Sequence, residues 1–291
     1  MKTAVVLMAY GSPSQPEDIR PYLEDIREGR PVSDTAVDEL TERYRRIGGR
    51  SPLDDATEGQ RAALEQELGL PVFVGMKHWQ PRIAEAVEQA LAGGADTIVG
   101  LVIAPHCSRL SVEGYRERLE QALGGRADLR FVESWHTHEP YLEALANRVR
   151  DSDAHVVFTA HSLPARILDE GDPYRDQLLD TARLIAERAG LKAWSFAFQS
   201  ASPTGEPWLG PDILDELDSL HAAGVERVLV CPIGFVSDHL EILWDLDVEA
   251  VERAAEVGLE LERVESLNDD PAFIRGLADL VRQTVSVPSA Q

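Results

Sequence analysis

His161 stands where the apolar run Val156-Val157-Phe158-Thr159-Ala160 gives way to Ser162-Leu163-Pro164. An imidazole ionises near neutral pH, so a histidine just past a buried strand can accept a proton or ligate a metal. It can equally well fix a turn by hydrogen bonds. A second constellation lies further along, where Glu241, Asp245 and Glu249 recur every fourth residue in the segment from Gly234 to Glu249. On an α-helix capped by Ser237 or Asp238 these carboxylates share a face, and like charges so placed repel by about 0.2–0.5 kcal/mol per pair. A solvated acidic face is one explanation. A row of oxygen ligands along which a divalent cation moves is the other. Histidine with carboxylates suits Fe2+, whereas the outer acidic residues alone would suit Mg2+ or Ca2+.

A third cluster is basic and hydroxyl-bearing: Arg27, Arg30, Arg43, Tyr44, Arg45, Arg46 and Ser51, with Gly48-Gly49 allowing a tight turn. The chain has 51 acidic against 28 basic residues and a formal charge of −23, so a local concentration of arginine calls for an anionic ligand. Guanidinium forks bind carboxylates through paired hydrogen bonds, and a substrate with several carboxylates would account for them. An amphipathic helix whose arginines pair with Glu39 and Glu42 would account for them too.

Several classes drop out. A charge of −23 repels nucleic acid and anionic membranes. No phosphate-loop, dinucleotide-binding, zinc-protease or nucleophile-elbow pattern occurs. Two cysteines, Cys107 and Cys231, end apolar runs as small hydrophobes, and two are too few for a cysteine-ligated iron–sulfur cluster. With no disulfide framework and no apolar stretch of about 18 residues, the expectation is a soluble cytoplasmic protein, by default a monomer.

These groups must be positioned by a scaffold, and the sequence outlines it. Short β-branched runs alternate with helical patterns. Strands are expected at Thr3–Ala9, Val72–Met76, Thr97–Ala104, Arg130–Glu133, His155–Ala160, Trp194–Gln199, Arg227–Pro232 and Leu259–Val264. Helices are expected at Thr57–Leu68, Ile83–Ala92, Val112–Leu123, Tyr141–Arg150, Arg175–Ala189 and Ile213–Ala223. Unbroken apolar strands separated by helices predict an α/β fold with parallel sheets flanked by helices.

The pattern also repeats. Val5 to Pro13 aligns with Val156 to Pro164 at a constant offset, which sets Tyr10 against His161. Pro81, Gly93-Gly94 and Pro105 punctuate the first half as Pro211, Gly224 and Pro232 punctuate the second. Two similar Rossmann-like lobes follow, residues 1–140 and 141–270. The last segment, 271–291 with its helix Pro271–Thr284, is expected to pack back on the first. Ligands of such sheets bind at the carboxyl ends of strands, so Tyr10 and His161 should face one cleft between the lobes.

Four stretches resemble the ferrochelatase family: Thr159 to Pro164, Gly234 to Glu241, Gly75 to Pro81, and Pro207 to Asp212. The resemblance runs from about residue 4 to residue 284. It implies insertion of Fe2+ into a porphyrin between two lobes. His161 and Glu241 would then handle the metal, with Asp245 and Glu249 continuing its path outward. Met8-Ala9-Tyr10-Gly11-Ser12-Pro13 resembles the branch found in Gram-positive bacteria, in which the substrate is coproporphyrin III and the tyrosine faces the metal from the opposite side. By that resemblance Arg43, Tyr44, Ser51 and Tyr115 would hold propionates, with Arg27 nearby. No prosthetic group is implied, and other haem-pathway enzymes are candidate partners. A chelatase for another tetrapyrrole or metal, such as cobalt with sirohydrochlorin, and a non-catalytic haem carrier are the competing readings. Neither accounts for the whole residue set: Arg43, Tyr44 and the His161 stretch disfavour the first, and the acidic row is redundant in the second.

Overall fold

The structure is a computed structural model that describes residues 2–202 and 204–286; the rest of the chain, including residues 287–291 of the last segment, lies outside the described residues. β1 (Thr3–Ala9), β2 (Val72–Met76), β3 (Thr97–Val102) and β4 (Asp128–Val132) form a parallel sheet in the order β2-β1-β3-β4. β5 (His155–His161), β6 (Trp194–Gln199), β7 (Arg227–Pro232) and β8 (Glu260–Arg263) form a second in the order β6-β5-β7-β8. The two orders are the same when counted from each half's first strand. The repeat extends to detail: Met76 N donates to Pro81 O at 2.7 Å, and its counterpart Phe198 N donates to Pro211 O at 2.8 Å.

α1 (Ile19–Ile26), α2 (Asp34–Arg46) and α3 (Leu53–Leu68) lie between β1 and β2. α4 (Ile83–Ala92) and α5 (Val112–Leu123) follow β2 and β3, and α6 (Glu139–Val149) leads into the second sheet. There α7 (Tyr174–Ala189) follows β5, α8 (Ile213–Ala222) follows β6, and α9 (Val251–Val257) precedes β8. α10 (Pro271–Ser286) lies against α3, α6 and β4.

Alternation along the strands builds the layers. Val5 and Leu7 of β1 join Val156, Phe158 and Ala160 of β5 in one large central core, together with residues of α6, α7 and α10. Ala4, Val6 and Met8 point the other way, onto α4 and α5. Val157 does the same in the second sheet, toward α8 and α9. Both sheets are therefore covered on both faces, and only their strand ends are free to carry a site.

Element boundaries differ from the expectation where acids or turns intervene. α3 begins at Leu53 rather than Thr57, because Asp54 and Asp55 sit in its first turn, where the helix dipole favours them. β3 stops at Val102, short of Ala104, and β4 spans Asp128–Val132 rather than Arg130–Glu133.

The acidic segment departs most. Ile242–Ala250 is wound as a π-helix, not an α-helix. On an α-helix a spacing of eight residues swings about 80° around the axis. In the i→i+5 winding Ile242, Leu246 and Ala250 are buried against the second sheet. Asp238 does not cap it either: its carboxylate accepts from Ser266 Oγ (2.7 Å) and Asn268 Nδ2 (3.0 Å) and pairs with Arg263 (3.2 Å).

Candidate active site

His161 is the last residue of β5, and its ring is fixed from behind. Nδ1 lies against the Ser162 carbonyl, which only accepts, so Nδ1 carries the hydrogen and Nε2 is left facing outward. That Nε2 lies 3.6 Å from Oε1 of Glu241. His239 repeats the arrangement from the other side: Nδ1 donates to Ser237 O at 3.0 Å, and Nε2 lies 3.5 Å from Oε2 of Glu241. One carboxylate thus stands between two imidazole nitrogens, each of which presents either a lone pair or a proton.

The electrostatics agree. Burial raises the Glu241 carboxyl, but His161 and then His239 pull it down further, and the net result is well below the ordinary carboxylate range. Burial pushes His161 down and the Glu241 charge more than reverses this, leaving the imidazole above its ordinary value. The two side chains keep 28% and 37% exposure because they wall an open cleft rather than a sealed cavity.

Beyond Glu241 the π-helix directs Asp245 and Glu249 into the same cavity, which has a volume of about 240 Å³ and is also lined by His161, Gln199, Ser200 and Arg43. Ser200, in the left-handed backbone region at φ +64°, donates its hydroxyl to Asp245. Burial, with the Glu241 charge next, lifts the Asp245 carboxyl to about 7. Among the described residues no three histidines, cysteines or acids stand close enough together to hold a metal ion as they are. The acidic residues are separate stations along one wall.

The first lobe contributes Arg43 to this cavity. Tyr10 follows β1 as His161 ends β5, and its ring rests 4.6 Å from that of His78, centroid to centroid. Gly11 lets the chain turn behind it: φ is +88°, and a Cβ there would stand 2.8 Å from Trp79. Burial, then the Glu241 charge, raises the Tyr10 hydroxyl above its ordinary value, and burial chiefly raises those of Tyr44 and Tyr115, with Glu241 adding to each. Tyr44 Oη shares a 2.8 Å hydrogen bond with Ser12 Oγ, and Ser51 is buried, its Oγ accepting from Leu53 N.

The basic cluster divides. Arg45 is committed to Glu42 at 2.6 Å and Arg46 to Glu252 at 2.5 Å, so part of it is indeed a paired helix face. Among the described residues Arg27, Arg30 and Arg43 form no ion pair with a carboxylate. Arg43 lies on the acidic cavity, its guanidinium 5.5 Å from the Trp244 ring, rather than beside Tyr44 and Ser51 alone.

Sequence reasoning gave no role to His239, Ser200, Gln199 or Lys77. His239 stands two residues before Glu241, and that spacing was its available signal. Lys77 lies 4.8 Å from the Tyr115 ring, and burial brings its ammonium down to about 8. Only the folded chain brings it there.

Two parallel four-stranded sheets, each covered by helices on both faces, define an α/β architecture with an imidazole–carboxylate pair past the strand ends. Two solved structures share it: SirB from Bacillus subtilis with Fe3+ (TM-score 0.64, 13% identity, 98% of this chain and 96% of that one), and the sirohydrochlorin chelatase SirB from Bacillus subtilis subspecies spizizenii in complex with cobalt (TM-score 0.63, 15% identity, 100% and 98%). At such identities the likeness is one of fold.

The ferrochelatase family model matches residues 2–285. A ferrochelatase of Deinococcus radiodurans is 43% identical, covering 96% of this chain and 95% of that protein. A coproporphyrin III ferrochelatase of Halalkalibacterium halodurans is 40% identical, with 98% of each covered. The chain belongs to the ferrochelatase family, the enzymes of haem biosynthesis that insert iron into a porphyrin. No helix among the described residues is long and apolar enough to cross a membrane.

Proposed function

We propose that this ferrochelatase acts on coproporphyrin III, converting it to coprohaem with loss of two protons. The observation that carries the reading is Arg43: in a chain of charge −23 it lines the cavity of His161 and Glu241 and, among the described residues, forms no ion pair with a carboxylate. Four propionates account for that better than two. The Halalkalibacterium relative is named for this substrate, and the Tyr10 stretch resembles the same branch.

In this reading Arg27, Arg43, Tyr44, Ser51 and Tyr115 hold propionates, and Tyr10 backs the ring. Binding of these remote groups supplies the energy that holds the macrocycle bent, so that its nitrogens present their lone pairs. His161 Nε2 accepts a pyrrole proton. Glu241, already ionised, carries the incoming cation or takes the second proton. Asp245 and Glu249 pass Fe2+ inward, and the outer pair also accepts Mg2+. The enzyme works in the cytoplasm as a monomer, without a prosthetic group, and exchanges its substrate and product with other haem-pathway enzymes.

Anaerobic Fe2+ insertion into coproporphyrin III and protoporphyrin IX, followed by loss of the metal-free absorption bands, tests it. Faster loss with coproporphyrin is expected. Preference for protoporphyrin would keep the family and overturn the substrate.

A further inference from the structure

His161 is held from the front by chemistry and from behind by its own main chain. Gly234 packs so closely on Ala160 that a Cβ there would stand 2.5 Å from the alanine's, and Ser162 is pinned by N–H to Gln199 O and by Oγ to Leu209 O, both at 2.7 Å. The carbonyl of His161 itself accepts from the hydroxyl of Tyr174 at 3.0 Å. Tyr174 opens α7, and its ring is buried.

The same turn grips the other lobe. Asp172, only 6% exposed, accepts from Tyr174 N at 2.9 Å through Oδ1. Through Oδ2 it accepts from Ser108 Oγ at 3.0 Å and Arg109 N at 2.8 Å, both in the loop after β3. Arg109 returns the contact by donating to Glu170 O at 3.1 Å. A buried carboxylate is retained only where donors satisfy it, and here two of the three come from across the lobe boundary. The loop it holds runs directly into α5, which carries Tyr115. Further along α7, Gln177 Oε1 accepts from Cys107 N at 2.7 Å, so the helix face reads this loop at two levels.

We propose that Asp172 and Tyr174 are positioning residues for His161. They form a hydrogen-bonded link from the porphyrin-holding wall of the first lobe to the carbonyl of the proton acceptor in the second. The link fixes the distance from His161 Nε2 to a ring seated against Tyr10 and Tyr115. Proton transfer falls off steeply when donor and acceptor are misplaced by a fraction of an ångström, so loss of the link acts on turnover rather than on substrate capture. The inference rests on His161 being the acceptor.

The test is steady-state Fe2+ insertion with porphyrin affinity from fluorescence quenching and thermal unfolding, for Tyr174→Phe, Asp172→Asn, the double variant and His161→Ala. Tyr174→Phe keeps the ring in place and removes one hydroxyl, leaving a carbonyl unsatisfied. It is expected to lower kcat about tenfold, with both KM values and porphyrin Kd within about twofold. The double variant is expected to be no slower than the slower single one, because the residues act in series. Should Asp172→Asn fail to fold, Ser108→Ala weakens the same link from the first lobe. Normal kcat in Tyr174→Phe beside an inactive His161→Ala overturns the positioning role alone. Turnover in His161→Ala would instead remove the acceptor on which it rests. Additive losses would make the two residues independent and also overturn the link.

Discussion

The guanidinium of Arg43 lies 5.5 Å from the centre of the Trp244 ring, and so joins a helix of the first lobe to the π-helix of the second. Arg46 meets the same ring at 5.4 Å while holding Glu252. Arg43 is the member of the pair with no carboxylate of its own. It lines the acidic cavity beside Trp244.

Arg43→Ala should therefore weaken binding of coproporphyrin III by about tenfold or more, the worth of one charge-assisted carboxylate bond. A porphyrin with two propionates should lose less. Quenching titrations without iron measure both. Trp244→Phe serves as the control for lost stacking; equal losses for the two porphyrins in Arg43→Ala would count against propionate recognition there.

His161→Ala should reduce iron insertion by at least about a hundredfold, since proton transfer and transient ligation are lost together. Porphyrin affinity should stay within a few-fold, because the ring is held by other residues. In the wild type the raised imidazole must be deprotonated to act, so turnover should fall as pH drops through its value. Replacing Glu241 by Gln removes the charge that raises it, and the imidazole's titration, followed by NMR, should move to lower pH.

Asp245→Asn combined with Glu249→Gln should raise the KM for Fe2+ and leave porphyrin affinity unchanged. In the wild type Asp245 titrates at about 7. Below that pH it is protonated and a weaker cation ligand, so the KM for iron should climb as pH falls from 8 to about 6. The double variant should lack that climb. An effect confined to porphyrin affinity would remove these residues from the metal path.

How much of this was legible in sequence follows from what each feature depends on. The pairing of Tyr10 with His161 could be read because it follows from strand ends in a repeated unit. The row Glu241, Asp245, Glu249 was visible as composition, but its winding was not: a four-residue period serves an α-helix and a π-helix almost equally. Arg43 was named for its charge, yet its place on the acidic cavity depends on how the lobes close, which no local pattern encodes. The same closure decides that Asp172 reaches Ser108, while Asp238 holds Asn268 through a contact within the second lobe that is distant in sequence. Arg45 pairs with Glu42, one of the partners the local spacing offered, whereas Arg46 pairs with Glu252 in the other lobe, which no local spacing indicates.

Two buried histidines away from the metal wall give the fold its own pH dependence. His78 is brought down from 6.5 to about 4, mainly by burial, with Asp25 opposing and Arg118 and Lys77 assisting. Arg82 also faces this group, through its 2.9 Å pair with Asp25. His106 is held well below its ordinary value by burial and then by His136, and its Nδ1 has no partner. The unfolded chain binds these protons near pH 6.5 and the native chain does not. Stability is therefore fully present above that pH and is lost as pH falls toward 4. Each proton contributes about 1.4 kcal/mol per pH unit inside the window. Urea midpoints at pH 7, 6 and 5 should fall accordingly, and His78→Gln should flatten the decline by roughly one proton's share. An unchanged slope in that variant would mean that His78 takes up its proton in the folded chain as readily as in the unfolded one.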